Sequence, residues 1–148
     1  MQENGFTVEA YDHPRTQASL LGIGFSVPNT PRHRVAIMRH DLHHVATGYG
    51  TDVVGEAEVS AWELRRGLRG LDLYVTALVT GLALLGLVVA PRRTIRAWRD
   101  SGGGDSLFGD PRSYEELLAL TVGELRASLG LPAEGVARHP RRLHGKAP

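Results

Sequence analysis

The chain has 148 residues, 42% of them hydrophobic, with a formal net charge of +1 and no cysteine. That length suits one domain with a real core, and the near-neutral balance gives no general pull on polyanions. The lack of thiols excludes disulfides, thiolate metal sites, Cys-held iron–sulfur clusters and a Cys nucleophile.

The start, Met1 to Arg15, is polar and acidic. It has neither the basic-then-apolar order of a signal peptide nor the Arg-rich, acid-free character of a transit segment, which points to a cytoplasmic protein. Residues 1–29 form an N-terminal segment in which Leu20, Leu21, Ile23 and Phe25 are interrupted by Gly22 and Gly24. This reads as a poor helix or a buried extended stretch, closed by Pro28.

Thr30 is a good N-cap and Pro31 suits the first helical position, so a helix is predicted from Pro31 to Thr47. It stops at the turn Gly48-Tyr49-Gly50. A second helix is predicted from Val53 to Arg69, capped by Asp52 and ended by Gly70. The third, about Leu71 to Ala90, is the most apolar and stops at Pro91. The basic stretch Arg92 to Asp100 continues as a short helix, and Ser101-Gly-Gly-Gly104 reads as a flexible linker. Ser113-x-x-Glu116 is a capping box that opens a last helix, running to about Gly130 and Pro132. Residues 133–148 are a basic tail, expected to be disordered. No strand alternation and no repeat period appear. The expected fold is therefore all-α: a single-domain helical bundle over residues 30–132 with a central, strongly apolar helix.

Four potential metal ligands lie close together: His40, Asp41, His44 and Glu56. At about 100° per residue, His44 falls about 40° from His40, and the two share an arc of roughly 100° with Asp41. His43 points about 100° away from His44, beside Arg32 and Arg39, and reads as solvent-facing. Val35, Met38, Leu42 and Val45 make a separate apolar arc. On the second helix Glu56 borders the stripe of Val53, Ala57, Ala61, Leu64 and Leu68. Glu58 falls about 160° away, near Arg65, on the outer face. A carboxylate at the edge of a core stripe is costly unless it is paired or ligates a metal. Two imidazoles and two carboxylates suit one divalent ion: Zn, Fe, Mn or Co. The competing reading is a pair of surface histidines four residues apart, a common arrangement on helices.

The stretch His40-Asp-Leu-His-His44, followed by eleven residues and Glu56, resembles the His-Asp-x-x-His-(eleven)-Glu signature of the ubiquinone biosynthesis Coq-four family. Gly48, Tyr49, Gly50, Asp52 and Gly55 match the filling of that block, and Glu124 to Pro132, "ELRASLGLP", is similar to the family's C-terminal end. The resemblance spans roughly Pro28 to Pro132 and is weakest at the N-terminus, where this chain is shorter than typical members. It implies an all-α fold, a divalent metal on His40, Asp41, His44 and Glu56, and a hydrophobic channel for a prenylated or otherwise hydrophobic small molecule. It also implies peripheral membrane association. Two roles follow from it: oxidative decarboxylation of an aromatic or polyketide-like, lipid-tailed substrate, or a non-catalytic scaffold that organises quinone-biosynthetic enzymes. Tyr49 and His43 are the nearest candidates for proton-transfer or supporting roles.

Leu73 to Ala90 carries no charge over eighteen residues. Its length allows a membrane span, but in so short a chain it is needed for the core, which favours a buried or pocket-lining helix. Gly81 and Gly86 are candidates for close approach of a neighbouring helix or an acyl chain. Arg92, Arg93, Arg96 and Arg99, with Ile95 and Trp98, suit an anionic membrane surface, a pyrophosphate or a solvated helix face equally. The tail "RHPRRLHGK" is too short and aromatic-poor to argue for nucleic acid. The remaining partners expected are copies of the chain or a biosynthetic complex.

Overall fold

The computed structural model describes residues 15–20, 23–28 and 31–138. The predicted N-cap Thr30 and the basic residues beyond Arg138 lie outside them. Strands β1 (Arg15–Leu20) and β2 (Ile23–Pro28) pair antiparallel, Arg15 opposite Pro28 and Leu20 opposite Ile23. Of the two readings of this segment, poor helix or extended stretch, the described residues take the extended one. Gly24, opposite Ser19, is tolerated in a two-stranded ribbon, where propensity is easily overridden.

The body is all-α, as expected. Helix α1 (Pro31–Thr47) ends where Gly48, at φ 84°, donates its N–H to the His44 carbonyl. Only glycine takes that left-handed turn without strain. Helix α2 (Val53–Arg66) starts at Asp52, whose carboxylate accepts from the N–H groups of Val54 and Gly55. It stops three residues earlier than predicted, at Gly67, φ 98°. Helices α3 (Leu73–Val89) and α4 (Pro91–Asp100) follow. A short 3-10 turn at Leu107–Gly109 precedes α5 (Tyr114–Leu118) and α6 (Val122–Ser128). The single last helix expected is thus two. Thr121 and Glu124 form a second capping box that restarts the chain after α5.

The central helix is α2, not the most apolar one. Nine of its fourteen residues are buried, against only Val75, Val79, Ala83 and Gly86 on α3. Helix α3 lies at the edge, packed on α2 and α4, and leaves Leu84, Leu87, Val88 and Val89 exposed. No helix among the described residues is long and apolar enough to cross a membrane. Gly86 permits close packing of α3: a Cβ there would sit 2.5 Å from Thr94 Oγ1 and 2.6 Å from Ala57 Cβ. Gly81 has nothing within 4 Å and plays no such part.

The core gathers Leu42, Ala46, Val59, Trp62, Leu107, Leu117 and Leu125 from α1, α2, the 3-10 turn, α5 and α6. Each buried leucine contributes roughly 1.5–3 kcal/mol. Two arginines tie the loops to this core. Arg66 stacks on Trp62 at 4.4 Å and donates to the carbonyls of Ser101, Asp105 and Leu129. Arg126 donates to the Ala46 carbonyl, and the N–H groups of Val136 and Ala137 donate to that of Thr47. Residues 133–138, expected in the tail, are therefore docked on the end of α1. Ser101 of the expected linker is buried.

Candidate metal centre

The α1–loop–α2 unit brings three predicted ligands together. The ligand atoms of His40, His44 and Glu56 all lie within 4.8 Å of one another. His40 Nε2 is 3.1 Å from Glu56 Oε2 and 3.1 Å from His44 Nε2, and His44 Nε2 is 3.3 Å from Glu56 Oε1. Ligands bound at about 2.0–2.1 Å in a tetrahedron stand about 3.3 Å apart, close to these separations. The fourth predicted ligand, Asp41, is buried on α1 but does not belong to this cluster.

The outer hydrogen bonds fix which ring nitrogens face inward. His44 Nδ1 lies 3.3 Å from the Tyr49 carbonyl, which can only accept, so Nδ1 carries the proton. His40 Nδ1 is 2.8 Å from Glu63 Oε1, and a carboxylate likewise draws the proton to Nδ1. In the neutral rings both Nε2 lone pairs then face each other and the Glu56 carboxylate. Three acceptors converging on one point repel unless a cation sits among them. A proton or a metal ion satisfies them, and the donor set of two imidazoles and a carboxylate suits a divalent ion.

The pKa shifts have the same origin. Burial pushes His40 down, but Glu63 and Glu56 outweigh it and hold the imidazole well above its ordinary range. Burial opposes the charge on Glu56, but hydrogen bonds from His40 and His44 pull its carboxyl strongly down. Burial similarly opposes Glu63, which His40 and His43 lower to about 2. Glu56 and Glu63 are thus held ionised by the histidines around them, and a divalent ion among His40, His44 and Glu56 would replace the protons shared there.

The site is positioned by local sequence. Gly55 lets the first turn of α2 lie against the Gly48–Gly50 loop; a Cβ there would be 2.1 Å from the Gly50 carbonyl oxygen. That contact sets Tyr49, whose carbonyl orients His44. The Tyr49 phenol is buried, and burial followed by Glu58 and Asp100 raises its pKa. Its influences are not members of the cluster, so the contribution of Tyr49 here is its backbone.

Two sequence expectations are overturned. His43 is fully buried, not solvent-facing: it packs on Trp62 and Phe108, donates to Glu63 Oε1 at 2.6 Å and accepts from the Leu107 N–H at 2.9 Å. Its neighbour Arg39 donates to the carbonyls of Leu107, Phe108 and Arg112. The helical wheel finds apolar arcs, but this polar face of α1 is covered by a loop whose backbone groups need donors and acceptors. Glu58 is not on the outer face either. It is buried and paired with Arg93 of α4 at 2.6–2.9 Å. Glu63, fully buried behind His40, was missed. Its signal was a spacing of seven from Glu56, two turns along the same face.

An apolar groove of about 280 Å³ lies between α2, α3 and α4, lined by Leu64, Leu84, Leu87, Ile95 and Trp98 among others. His40, His44 and Glu56 are not among its lining residues. Compared with protein-family models, curated proteins and solved structures, the chain matches none.

Proposed function

We propose that the chain is a metal-dependent enzyme acting on an aromatic or polyketide-like, lipid-tailed substrate, in quinone biosynthesis or a related secondary-metabolite pathway. One observation carries this reading. Two Nε2 lone pairs and the Glu56 carboxylate converge on one point, and their edge is partly open, with the side chains of His40 and Glu56 20% and 27% exposed. Three protein ligands with access from outside are the pattern of catalytic sites, whereas structural sites are closed by four. The resemblance of His40 to Glu56 to the Coq-four signature supports the pathway, oxidative decarboxylation and the place of Asp41 near the ion.

When bound, a divalent ion would supply Lewis acidity toward a substrate carboxylate or phenolate and, for Fe, Mn or Co, redox chemistry. The chain's own part is positional. His40 and His44 present Nε2, Glu56 presents a carboxylate held ionised, and Glu63 and the Tyr49 carbonyl hold the Nδ1 protons away from the ion. Exposed apolar residues of α3 beside the arginines of α4 support contact with a membrane surface.

The test is metal analysis of the purified protein beside His44→Ala and Glu56→Ala. Stoichiometric metal in the wild type and its loss in both variants is expected; full metal in both variants would overturn the site. Turnover of a carboxylated prenyl-phenol, with and without O₂, then tests the reaction.

A second reading, a lipid-binding scaffold with a structural metal, draws on the groove whose lining excludes the three ligands. Cobalt substitution separates the two. A visible spectrum perturbed by added azide indicates an exchangeable position and favours the enzyme, while an inert four-ligand spectrum favours the scaffold.

A further inference from the structure

Glu63 is an expensive residue to keep. Its side chain is fully inaccessible, its Oε1 accepts from both His40 and His43, and its Oε2 has no hydrogen-bond partner. Burying a carboxylate costs several kcal/mol, and a glutamine or an apolar residue of similar size would fill the same space more cheaply. Packing therefore does not account for the negative charge.

The geometry does. An imidazole left to itself exchanges between its two tautomers, and only the Nδ1–H form offers Nε2 to the cluster. His44 is held in that form by the Tyr49 carbonyl. His40 has no backbone carbonyl in that role; its Nδ1 faces Glu63 alone, at 2.8 Å. The second donor to the same oxygen, His43, is itself locked, because its Nε2 accepts from the Leu107 N–H. The chain Leu107 N–H, His43, Glu63, His40 thus runs from the 3-10 turn to the inward face of the cluster, with each proton assigned by its partner.

We propose that Glu63 is the positioning residue of the metal centre: it sets the tautomer and orientation of His40, and His43, anchored on the Leu107 backbone, holds Glu63 in place. This rests on the metal reading of His40, His44 and Glu56. The role gives Glu63 control of metal affinity without touching the ion, as carboxylates behind ligating histidines do.

The experiment uses the full chain with Zn²⁺ as the probe, measuring affinity by competition with a chromophoric chelator. It is paired with ¹⁵N-resolved NMR of the histidine rings in metal-free protein at alkaline pH, where the rings are neutral. In Glu63→Ala, His40 is expected to lose the fixed Nδ1–H form, its proton shifting toward the Nε2 that faces Glu56, while His44 stays Nδ1–H, an internal control within the same spectrum. Zn²⁺ affinity is expected to fall about 10- to 100-fold. Glu63→Gln, which keeps the shape and an accepting oxygen, is expected to restore the His40 tautomer and recover part of the affinity. Should the alanine variant fail to fold, the glutamine variant decides. The proposal is overturned if a folded Glu63→Ala binds Zn²⁺ within about twofold of wild type, since outer partners of ligating histidines are worth more than that, or if Glu63→Gln binds as wild type although its His40 has left the Nδ1–H form. It is equally overturned if His40 stays in the Nδ1–H form in folded Glu63→Ala. If wild type itself binds no Zn²⁺, the metal reading fails, and the ring tautomers still report whether Glu63 sets His40.

Discussion

His40 and His44 face each other nitrogen to nitrogen, Nε2 to Nε2 at 3.1 Å, with the ring planes 85° apart. Both rings turn Nδ1 to an acceptor, Glu63 for His40 and the Tyr49 carbonyl for His44. Two histidines one helical turn apart are common. Two whose outer nitrogens are both occupied, so that the inner ones meet over a third acceptor, form a site that needs a cation.

Asp41 separates the three-ligand geometry from the four-residue signature. Metal affinity in Asp41→Asn is expected to fall less than in His44→Ala, because Asp41 stands outside the His40, His44 and Glu56 cluster. Equal losses in a chelator competition would place Asp41 on the ion.

Gly55 links stability to the site. Gly55→Ala forces its Cβ against the Gly50 carbonyl, 2.1 Å away, and the backbone cannot yield cheaply. We expect a loss of about 1–3 kcal/mol or more in urea unfolding, typical of overpacking. Metal affinity should fall with it, because the displaced loop carries the Tyr49 carbonyl that orients His44. Retained affinity in the destabilised variant would show that the loop does not set His44.

The two glycines of α3 should respond with opposite signs. Gly81 has open space around it, so Gly81→Ala is expected to stabilise by about 0.5–1 kcal/mol through helix propensity. Gly86 lies against Thr94 and Ala57, so Gly86→Ala is expected to destabilise by about 1–3 kcal/mol. Thermal unfolding of both variants checks the contrast, and a stabilised Gly86→Ala would contradict the α2–α3–α4 packing.

Arg93→Ala leaves Glu58 buried without its partner. Hydrogen bonds to a charged group are worth about 1.5–3 kcal/mol, and the part-exposed arginine places the loss toward the lower end. Metal content should not change, since the pair lies apart from the three ligands. A loss of metal in a folded Arg93→Ala protein would join the two networks.

Metal-free protein should show an acid-sensitive contribution from Glu63. Its carboxyl is lowered from 4.5 to about 2, chiefly by His40 and His43 against the opposing effect of burial. A carboxyl depressed in the folded state stabilises fully above its unfolded pKa and loses that contribution as pH falls through the folded one. The window is therefore pH 4.5 down to about 2. The stability–pH slope there should be shallower in Glu63→Gln; an unchanged slope would mean that Glu63 is not held ionised.

Much was legible from the residues alone. Pro31, Gly48, Asp52, Pro91 and Ser113 mark helix ends because caps and breakers act within a few residues. The His40, His44 and Glu56 set was legible because helical period and loop length are local quantities. What the sequence could not decide was what covers each face. His43 and Glu58 look solvent-facing on a wheel, yet the 106–112 segment buries one and Arg93 of α4 pairs the other. Hydropathy likewise made α3 the centre, whereas α2 is, because centrality depends on how many neighbours surround a helix and not on how apolar it is. Glu63 belongs to the same class. Its spacing from Glu56 was in view, but only the approach of α1, bringing His40 and His43 onto one oxygen from 23 and 20 residues away, gives that carboxylate its partners.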